Sequence, residues 1–163
     1  MEKKPIDVRR EEIINACEEL YKKENFKDIT IKQIGEKTTF SRTSIYNYFQ
    51  TKEEIFLALF QREYEKWIED LNKIYEENEK LLYNALVEMG YEIVEPKGTF
   101  YMFPKSPIAD DKQFCADAKE FGLVLVPGSN FGCPEHFRIA FCVDKEKIEA
   151  SLPSFKKAIE KYK

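Results

Sequence analysis

The fold of the first half is decided by residues 29–49, which read ITIKQIGEKTTFSRTSIYNYF. Thr30 followed three residues later by Gln33 is a capping box, the pair of side chains that closes the first turn of a helix. This pair predicts a short helix after Thr30. Gly35 lies on that helix and has no side chain, so a neighbouring helix can approach it closely.

A second short helix is predicted directly after the first. Residues 38–40 form a turn, and Ser41 is a good N-cap for a helix over residues 42–49. Two short helices joined by a tight turn make a helix-turn-helix. The stretch therefore predicts a helix-turn-helix domain.

Helices are also predicted on both sides of this stretch. Apolar residues recur at helical spacing before it, at Ile13, Ile14, Cys17, Leu20 and Tyr21. A first helix is expected to begin with Asp7 as its N-cap and to end near residues 24–25. Thr51 with Glu54 is a second capping box and opens a fourth helix.

The same residues resemble a known family. The signature of the TetR family of transcriptional regulators resembles three stretches of this chain, at 29–37, 40–49 and 51–55. Its most specific part is YNYF at 46–49 followed by Lys52. Thr39 and Thr43 depart from it, because the family usually has glycine there. The resemblance covers residues 9–64 and implies a DNA-binding domain.

Candidate DNA-binding residues follow from the chemistry and from the resemblance. A recognition helix in the major groove needs short polar side chains for base edges and longer ones for phosphates. Arg42 suits a bidentate pair with guanine, and Lys52 would meet a phosphate beside the N-terminus of the fourth helix. By resemblance, the family's backbone-contact positions are Thr30, Ser41, Tyr46, Tyr48 and Lys52. The full candidate set is Thr30, Ser41, Arg42, Thr43, Ser44, Tyr46, Asn47, Tyr48 and Lys52.

Charge allows this interpretation but limits it. The net charge of -4 argues against a protein that coats nucleic acid indiscriminately. Residues 32–52 nevertheless contain four cations and one anion, which gives a local basic patch. The alternative is that Tyr46, Tyr48 and Phe49 are only core aromatics of a small helical bundle.

The second half has a different pattern. Short apolar runs separated by Pro and Gly predict strands, and two amphipathic stretches predict helices. The expected order is strands at 91–94 and 98–103, a helix at 112–121, strands at 123–126 and 137–141, and a helix at 145–162. The fold class is therefore α+β, with a helical helix-turn-helix bundle joined by a long shared helix to a small β-β-α-β-β-α domain.

This half also resembles a known family. The motifs are PKGTFY at 96–101, VPGSNFG at 126–132 and FRIA at 137–140, preceded by LLYNALVEMG at 81–90. Residues 78–163 thereby resemble the C-terminal small domain of class I and II, fold type I, aminotransferases that use pyridoxal phosphate.

The resemblance implies a role for Arg138, which in the family pairs with the substrate α-carboxylate. A guanidinium suits a planar carboxylate because it donates two parallel hydrogen bonds. The chemistry also needs a lysine for the Schiff base and an acidic partner for the pyridinium. In the family both lie in a large domain that no stretch here resembles. Arg138 is thus expected to be a vestigial carboxylate-binding residue, with no cofactor and no enzymatic activity.

The two halves are expected to share a helix. Residues 51–89 contain neither Gly nor Pro and keep apolar residues at helical spacing, which predicts one helix roughly 58 Å long. The domains are expected at 1–75 and 76–163. Residues 67–74 would belong to neither core, so their exposed apolar surface is a candidate for self-association.

The leading functional hypothesis is a double-stranded-DNA-binding protein, weak if monomeric, in which a TetR-like domain has been fused to an incomplete aminotransferase domain by engineering. The alternatives are a natural recombinant, a fusion scaffold without selected function, or a fragment of an aminotransferase. No apolar run approaches the roughly 18 residues of a membrane span, so no membrane partner is expected. Scattered cysteines suit reduced thiols in the cytoplasm. No metal site is expected, since Cys133 and His136 are more simply a loop coincidence.

Overall fold

The computed structural model describes residues 5–39 and 41–163 of the chain. The chain divides into two compact units, Met1–Glu69 and Asp70–Lys163. The predicted turn at 38–40 includes Phe40, which lies outside the described residues.

The first unit is built from helices. They are α1 (Pro5–Tyr21), α2 (Ile31–Glu36), α3 (Arg42–Ile45) and the beginning of α4 (Lys52–Met89). Their apolar faces meet in one core, formed by Ile13, Ile14, Ala16, Cys17, Leu20, Ile29, Ile34, Ile45, Phe49, Ile55, Phe56 and Leu59. The helix-turn-helix arrangement predicted from the sequence is therefore present.

Three predicted helix bounds of the first unit are wrong by a few residues. α1 begins at Pro5, so Asp7 lies inside the helix and is not its N-cap. α1 ends at Tyr21 rather than near residues 24–25. The helix expected over 42–49 ends at Ile45, and residues 46–48 continue as turns. Phe49 is buried in the core at 2% exposure, so the chain leaves the helix early to place this ring.

The predicted shared helix is confirmed, because α4 is one helix of 38 residues. Its early residues Ile55, Phe56 and Leu59 lie in the first core. Its late residues Leu82 and Leu86 lie in the core of the second unit, with Met89 packed against it. Between them, Trp67 and Ile74 are 55% and 50% exposed, as expected for a stretch that belongs to neither core.

The second unit combines a small sheet with three helices. After the end of α4 come β1 (Tyr101–Met102), α5 (Asp111–Ala118), β2 (Val126–Pro127), β3 (Phe137–Ala140) and α6 (Lys145–Glu160), with 3-10 turns at Lys119–Phe121 and Gly128–Phe131. The antiparallel sheet has the order β1-β3-β2. Its register pairs Met102 with Ile139, and Val126 with Arg138.

The α+β class is confirmed, but the expected first strand at 91–94 does not form. Tyr91 is buried and donates its hydroxyl to the carbonyl of Phe155 at 2.9 Å, whereas Val94 is 86% exposed. One backbone bond, from Lys105 N to Glu92 O at 2.8 Å, is not enough for a ladder. The strand expected at 123–126 is likewise reduced to Val126–Pro127.

Buried aromatic rings fill the second core. Phe114, Phe137, Phe141 and Phe155 are almost fully buried. Each ring removed from water stabilises the fold by about 1.5–3 kcal/mol. The sheet and helices are thus held by ring packing behind β3, the strand that carries Arg138.

The four cysteines are free thiols, and the two units each bury one of them. Cys17 lies in the first core and Cys115 in the second. Burial raises the pKa of each of these two thiols to about 11. Among the helices that the structure describes, none combines the length and apolar character needed to cross a membrane.

Candidate nucleic-acid interface and carboxylate site

The two helices of the helix-turn-helix are brought together at Gly35. A Cβ placed there would lie 3.3 Å from Cδ1 of Ile45 and 3.4 Å from Cα of Arg42. Glycine therefore allows α2 and α3 to pack with almost no space between them, as the sequence predicted. This contact fixes α3 while its polar side chains face outward.

The predicted capping box at the start of α2 is confirmed. Thr30 Oγ1 accepts from the Gln33 amide at 3.3 Å, and Gln33 Oε1 accepts from the Thr30 amide at 2.8 Å. Thr30 Oγ1 also donates to Gln33 Oε1 at 2.7 Å. Thr30 is exposed, but its hydroxyl already serves the helix, so any phosphate contact would add to a structural role.

The capping box predicted at the start of α4 is only half formed. Thr51 Oγ1 accepts from the Glu54 amide at 3.2 Å. The Glu54 carboxylate instead accepts from the Gln50 amide at 2.6 Å, one residue earlier than expected. The helix still begins at Lys52.

α3 and the turn after it carry most of the candidate DNA-binding residues on one exposed surface. Ser41 occupies the N-cap position, and its hydroxyl lies 3.1 Å from that of half-buried Ser44. Arg42 donates to the Tyr46 hydroxyl at 3.5 Å. The exposed members of this set are Ser41, Arg42, Thr43, Tyr46 and Asn47.

Neither Tyr46 nor Tyr48 is fully buried, so the alternative in which both are only core aromatics does not describe them. Tyr46 is exposed, and half-buried Tyr48 packs against the core while its hydroxyl accepts from Arg9 at 3.5 Å. Both hydroxyls are thus held by arginine side chains at the surface. Only Phe49 of the three is buried.

Lys52 has a partner that the sequence did not indicate. Its ammonium donates to the Phe26 carbonyl at 2.8 Å and lies 4.3 Å from the centre of the Phe26 ring. Lys52 therefore ties the loop between α1 and α2 to the start of α4. The predicted phosphate contact would have to share this ammonium with the loop.

The structure adds two arginines to the candidate surface, and neither was predicted from the sequence. Arg9 reaches the Tyr48 hydroxyl, and the guanidinium of Arg10 lies 4.7 Å above the Phe49 ring. Both are on α1, distant in sequence from α3, so only the packing of the three helices reveals them. The adjacent Arg9–Arg10 pair near the start of the first helix was the available signal.

The basic patch is partly neutralised by neighbouring acids. Lys32 lies 3.8 Å from Glu36, and Lys37 lies 3.3 Å from Glu19. Within residues 5–39 and 41–163, no carboxylate forms an ion pair with Arg42. The Arg42 guanidinium on α3 can therefore meet an external anion without first leaving a described carboxylate.

α1 is held against α4 by a half-buried ionic network centred on Arg62. Its guanidinium donates to Glu11 at 2.8 Å, to Asn15 at 2.6 Å and to Glu18 at 2.6 Å. A hydrogen bond from Lys22, followed by the charge and hydrogen bond of Arg62, lowers the pKa of the Glu18 carboxyl. The network fixes the helix that presents Arg9.

The second unit holds Arg138 between two aromatic rings. Its guanidinium lies 4.4 Å from the Tyr101 ring centre and 4.2 Å from the Phe131 ring centre. Arg138 is half-buried, and no described carboxylate forms an ion pair with it. Stacking restricts the guanidinium to one plane and leaves its N–H edge for a planar acceptor.

The loop behind Arg138 is rigidly anchored. Ser129 donates to Asp111 through its amide at 2.7 Å and through its hydroxyl at 3.1 Å. Gly128 is closely enclosed, because a Cβ there would lie 2.3 Å from Cys133 O and 2.7 Å from His136 O. These contacts fix the turn that carries Phe131 and thereby the stack on Arg138.

Comparison with known proteins gives two family matches. Residues 43–154 match the aminotransferase class I and II family, which is more than half of the chain. The chain belongs to the class I and II aminotransferase family. Residues 13–59 of this aminotransferase-family chain match the bacterial regulatory proteins of the tetR family. The two matches overlap over residues 43–59, so the start of α4 carries both likenesses.

Several relatives of this family member are aminotransferases. Aspartate aminotransferase of Bacillus subtilis is 29% identical over 104 residues, which are 58% of this chain and 26% of that protein. Aromatic-amino-acid aminotransferase 2 of Thermococcus litoralis is 35% identical over 101 residues, 59% of this chain and 26% of that protein. The chain therefore spans about a quarter of the length of the curated relatives it matches.

Solved structures give the same likeness. The aromatic aminotransferase from Pyrococcus horikoshii OT3 superposes with a TM-score of 0.58 at 28% identity, covering 79% of this chain and 36% of that one. An amino transferase from Eubacterium rectale has a TM-score of 0.54 at 44% identity over 55% of this chain and 23% of that one. The first match covers more of the chain than its second unit alone.

The family implies pyridoxal phosphate, and the residues of this chain do not fit it. The cofactor needs a lysine and an acidic group that face the same ring. Every described lysine of the second unit is exposed. The buried carboxylate of Asp111 is already bound by Ser129. The second unit therefore places no described lysine and acidic group where they would hold the cofactor beside Arg138.

Proposed function

We propose that this chain is a DNA-binding protein that contacts duplex DNA through α3 and its flanking residues. The observation that carries the proposal is the exposed polar surface of α3, which is held by close packing at Gly35 and carries the guanidinium of Arg42, a group that forms an ion pair with no described carboxylate. A short helix fixed on a small core and presenting polar side chains is what major-groove recognition requires.

The proposed interface comprises Thr30, Ser41, Arg42, Thr43, Ser44, Tyr46, Asn47, Tyr48 and Lys52, with Arg9 added from the structure. Arg42, Thr43, Ser44 and Asn47 reach base edges in this proposal. The remaining residues contact phosphates. Base contacts set sequence preference, whereas phosphate contacts set affinity on every sequence.

Selection of bound duplexes from a randomised pool tests this division of roles. The unchanged protein is expected to enrich a preferred sequence, and Arg42→Ala is expected to change that preference. Lys52→Ala should weaken binding to all sequences alike. Lys66→Ala removes an exposed cation from the same helix as Lys52 and is the matched control, with no expected effect. Binding that ignores both Arg42→Ala and Lys52→Ala would refute the assigned face.

We also propose that the aminotransferase-like half does not transaminate by itself. The support is that every described lysine of the second unit is exposed, whereas a Schiff-base lysine must face the bound cofactor. Pyridoxal phosphate added to the protein should give only the absorbance of scattered surface lysines. A stoichiometric Schiff base that maps to one lysine would overturn this proposal.

Arg138 is proposed as a vestigial carboxylate-binding residue. Its support is the stack between Tyr101 and Phe131, which keeps the guanidinium edge open. Small dicarboxylates are expected to perturb the NMR signals around β3 only at high concentration. Arg138→Lys should abolish even this weak effect, because an ammonium offers no planar pair of donors.

The origin of the chain is proposed to be an engineered fusion. Two family fragments joined inside one unbroken helix, with residues 43–59 matched by both, support this view. We propose a reducing, cytoplasmic setting, because two of the four free thiols lie at or near the surface. The exposed middle of α4 is proposed as a surface for self-association.

A further inference from the structure

The turn between α2 and α3 is bound by two carboxylates of α1. The backbone amide of Thr39 donates to Oε1 of Glu12 at 2.5 Å. Lys37, the C-cap residue of α2, donates from its ammonium to Oε2 of Glu19 at 3.3 Å. Glu12 and Glu19 are seven residues apart, which is about two helical turns, so they lie on the same face of α1. This face of α1 therefore contacts the segment that leads into α3.

The two contacts restrain the turn to different degrees. The Lys37–Glu19 ion pair joins two side chains that are 39% and 66% exposed, and exposed pairs of this kind contribute little. Glu12 instead binds the backbone, through a hydrogen bond to a charged acceptor, which is roughly twice as strong as a bond between neutral groups. A bond to the backbone restrains the path of the chain itself. Glu12 is therefore the contact of the two that can set the position of the turn.

α1 supports the Glu12 side chain firmly. The next residue, Ile13, is fully buried in the first core, and so is Cys17 one turn later. Arg62 of α4 binds Glu11 at 2.8 Å and holds the helix from another side. Glu12 itself is half-buried. The carboxylate that meets the turn is thus carried by a helix fixed by apolar packing and by an ion pair.

α3 needs support from outside, because its four residues are too few for a stable isolated helix. Among the described residues, the hydroxyl of its N-cap Ser41 bonds to the Ser44 hydroxyl and caps no backbone amide. The C-terminal side of α3 is held by Ile45, which is fully buried. The N-terminal side follows directly on the turn that Glu12 binds.

We propose that Glu12 is a positioning residue of the DNA interface, which fixes the turn and thereby the N-terminal end of α3. The inference rests on the proposed DNA-binding function and adds to it a residue that contacts neither base nor phosphate. Its effect is transmitted through Thr39 to Arg42, three residues later, where α3 begins.

Base readout should depend on this anchor more than phosphate binding does. A side chain that recognises a ligand by geometry must be held within about 0.5 Å of its productive position. Attraction between an exposed cation and a phosphate extends over a screening length of about 10 Å, so it tolerates larger displacements. Loss of the Glu12 contact is therefore expected to reduce sequence preference more than general affinity for duplex DNA.

The specificity ratio measures this difference. It is the affinity for the selected duplex divided by the affinity for a scrambled duplex of the same length and at the same salt concentration. A protein that is only less stable binds both duplexes more weakly by the same factor, because its unfolded fraction is common to both measurements. A misplaced α3 lowers the affinity for the selected duplex in particular.

Three variants of the full chain test the role of the carboxylate. Glu12→Ala should lower the specificity ratio by about 5-fold or more, the lower end of what one bidentate base contact supplies. Glu12→Gln keeps an oxygen acceptor and should restore most of the ratio. Glu19→Ala is the matched control, because it removes a carboxylate from the same face whose partner is a side chain, and it should leave the ratio unchanged. All three remove one negative charge, so an effect of charge alone would appear in all of them.

Hydrogen exchange at the Thr39 amide tests the contact without DNA. Exchange should be faster in Glu12→Ala than in the unchanged protein, because the amide loses its acceptor. Glu19→Ala should leave the rate unchanged. Equal rates in Glu12→Ala and in the unchanged protein would show that Glu12 does not hold the turn, and would overturn the inference.

The outcomes separate this inference from the DNA proposal. A specificity ratio that is unchanged in Glu12→Ala, or that falls equally in Glu12→Gln or in Glu19→Ala, overturns the role of Glu12 and leaves the DNA proposal standing. A chain that binds no duplex, with Thr39 exchange accelerated in Glu12→Ala, refutes the DNA proposal and supports Glu12 as the residue that positions the turn.

Discussion

The two units hold the arginines of their proposed sites in different ways. Arg42 of the first unit lies on an exposed surface of α3, and among the described residues its guanidinium makes one long hydrogen bond, to the Tyr46 hydroxyl. Arg138 of the second unit is fixed between two rings on a strand that is backed by a buried aromatic core. The guanidinium of Arg42 is exposed to solvent, whereas that of Arg138 is half-buried against two aromatic rings.

The difference agrees with the ligands proposed for the two surfaces. A nucleic acid is a long polyanion that meets many side chains at once, so each can remain mobile until binding. A single carboxylate must be met by a guanidinium whose plane is already set. Substitutions behind Arg138 should therefore disturb folding, whereas substitutions on α3 should disturb binding alone.

The enclosed glycine behind Arg138 gives the largest expected effect on this contrast. Gly128→Ala would force a methyl group against two backbone carbonyls and should destabilise the second unit by about 4 kcal/mol or more. The buried thiols report this by their labelling rates, because labelling needs local opening. Cys115 should become labelled faster, and Cys17 in the first unit should not change.

Gly122→Ala is the matched control for that substitution. Gly122 has a positive φ of 80°, and a Cβ there has open space around it. Its cost should be only the left-handed backbone penalty of about 1–2 kcal/mol. Equal effects of the two changes would mean that Gly128 is not sterically enclosed.

A break in α4 gives the next effect. Glu77→Pro removes a helical hydrogen bond, clashes with the preceding turn and should cost about 3 kcal/mol or more. Glu77→Ala changes the same exposed position and should be close to neutral. Hydrogen exchange along residues 70–89 measures the loss. Unchanged protection in the proline variant would contradict the single helix from Lys52 to Met89.

Asn78 offers a third and smaller test. It is 1% exposed, and its Nδ2 donates to Phe141 O at 3.1 Å and to Val143 O at 2.7 Å. Asn78→Ala leaves two carbonyls without this donor and should cost about 2 kcal/mol in urea unfolding. Asn84→Ala, at an exposed position of the same helix, should cost less than about 0.5 kcal/mol. A neutral Asn78→Ala would show that these bonds do not tie α4 to the segment that follows β3.

The stability of the first unit should depend on pH through Glu18. The lowered pKa of Glu18 means that its contacts stabilise the fold above its ordinary pKa and are lost as pH falls through the lowered value. Glu18→Gln should therefore cost about 1 kcal/mol at pH 7 and almost nothing at the acidic end. Unfolding of both proteins between pH 7 and pH 3 measures this, and a constant difference would contradict it.

Local signals explain which parts of the fold could be predicted. The cap of α2 depends on Thr30 and Gln33 alone, and the close approach at Gly35 depends on a missing side chain, so both were confirmed. The unbroken α4 follows from local spacing in the same way.

Long-range contacts explain what the sequence could not provide. Residues 91–94 have the composition of a strand, but Tyr91 is bound by Phe155, which lies 64 residues later. Asn78 lies among charged residues in the sequence, in EENEK at 76–80, but it is buried and bonded to partners 63 and 65 residues away. Arg138 came from family resemblance, and the rings that hold it emerged only from the fold.

The salt dependence of duplex binding tests the central claim most directly. Each phosphate contact should contribute about -0.9 to the slope of log affinity against log salt concentration. The unchanged protein should bind duplex DNA at low salt with a steep negative slope, and Arg42→Ala should bind more weakly while Lys66→Ala does not. A chain that fails to bind any duplex at low salt, or that binds equally well with and without Arg42, would contradict the assignment of α3 as a DNA-recognition helix.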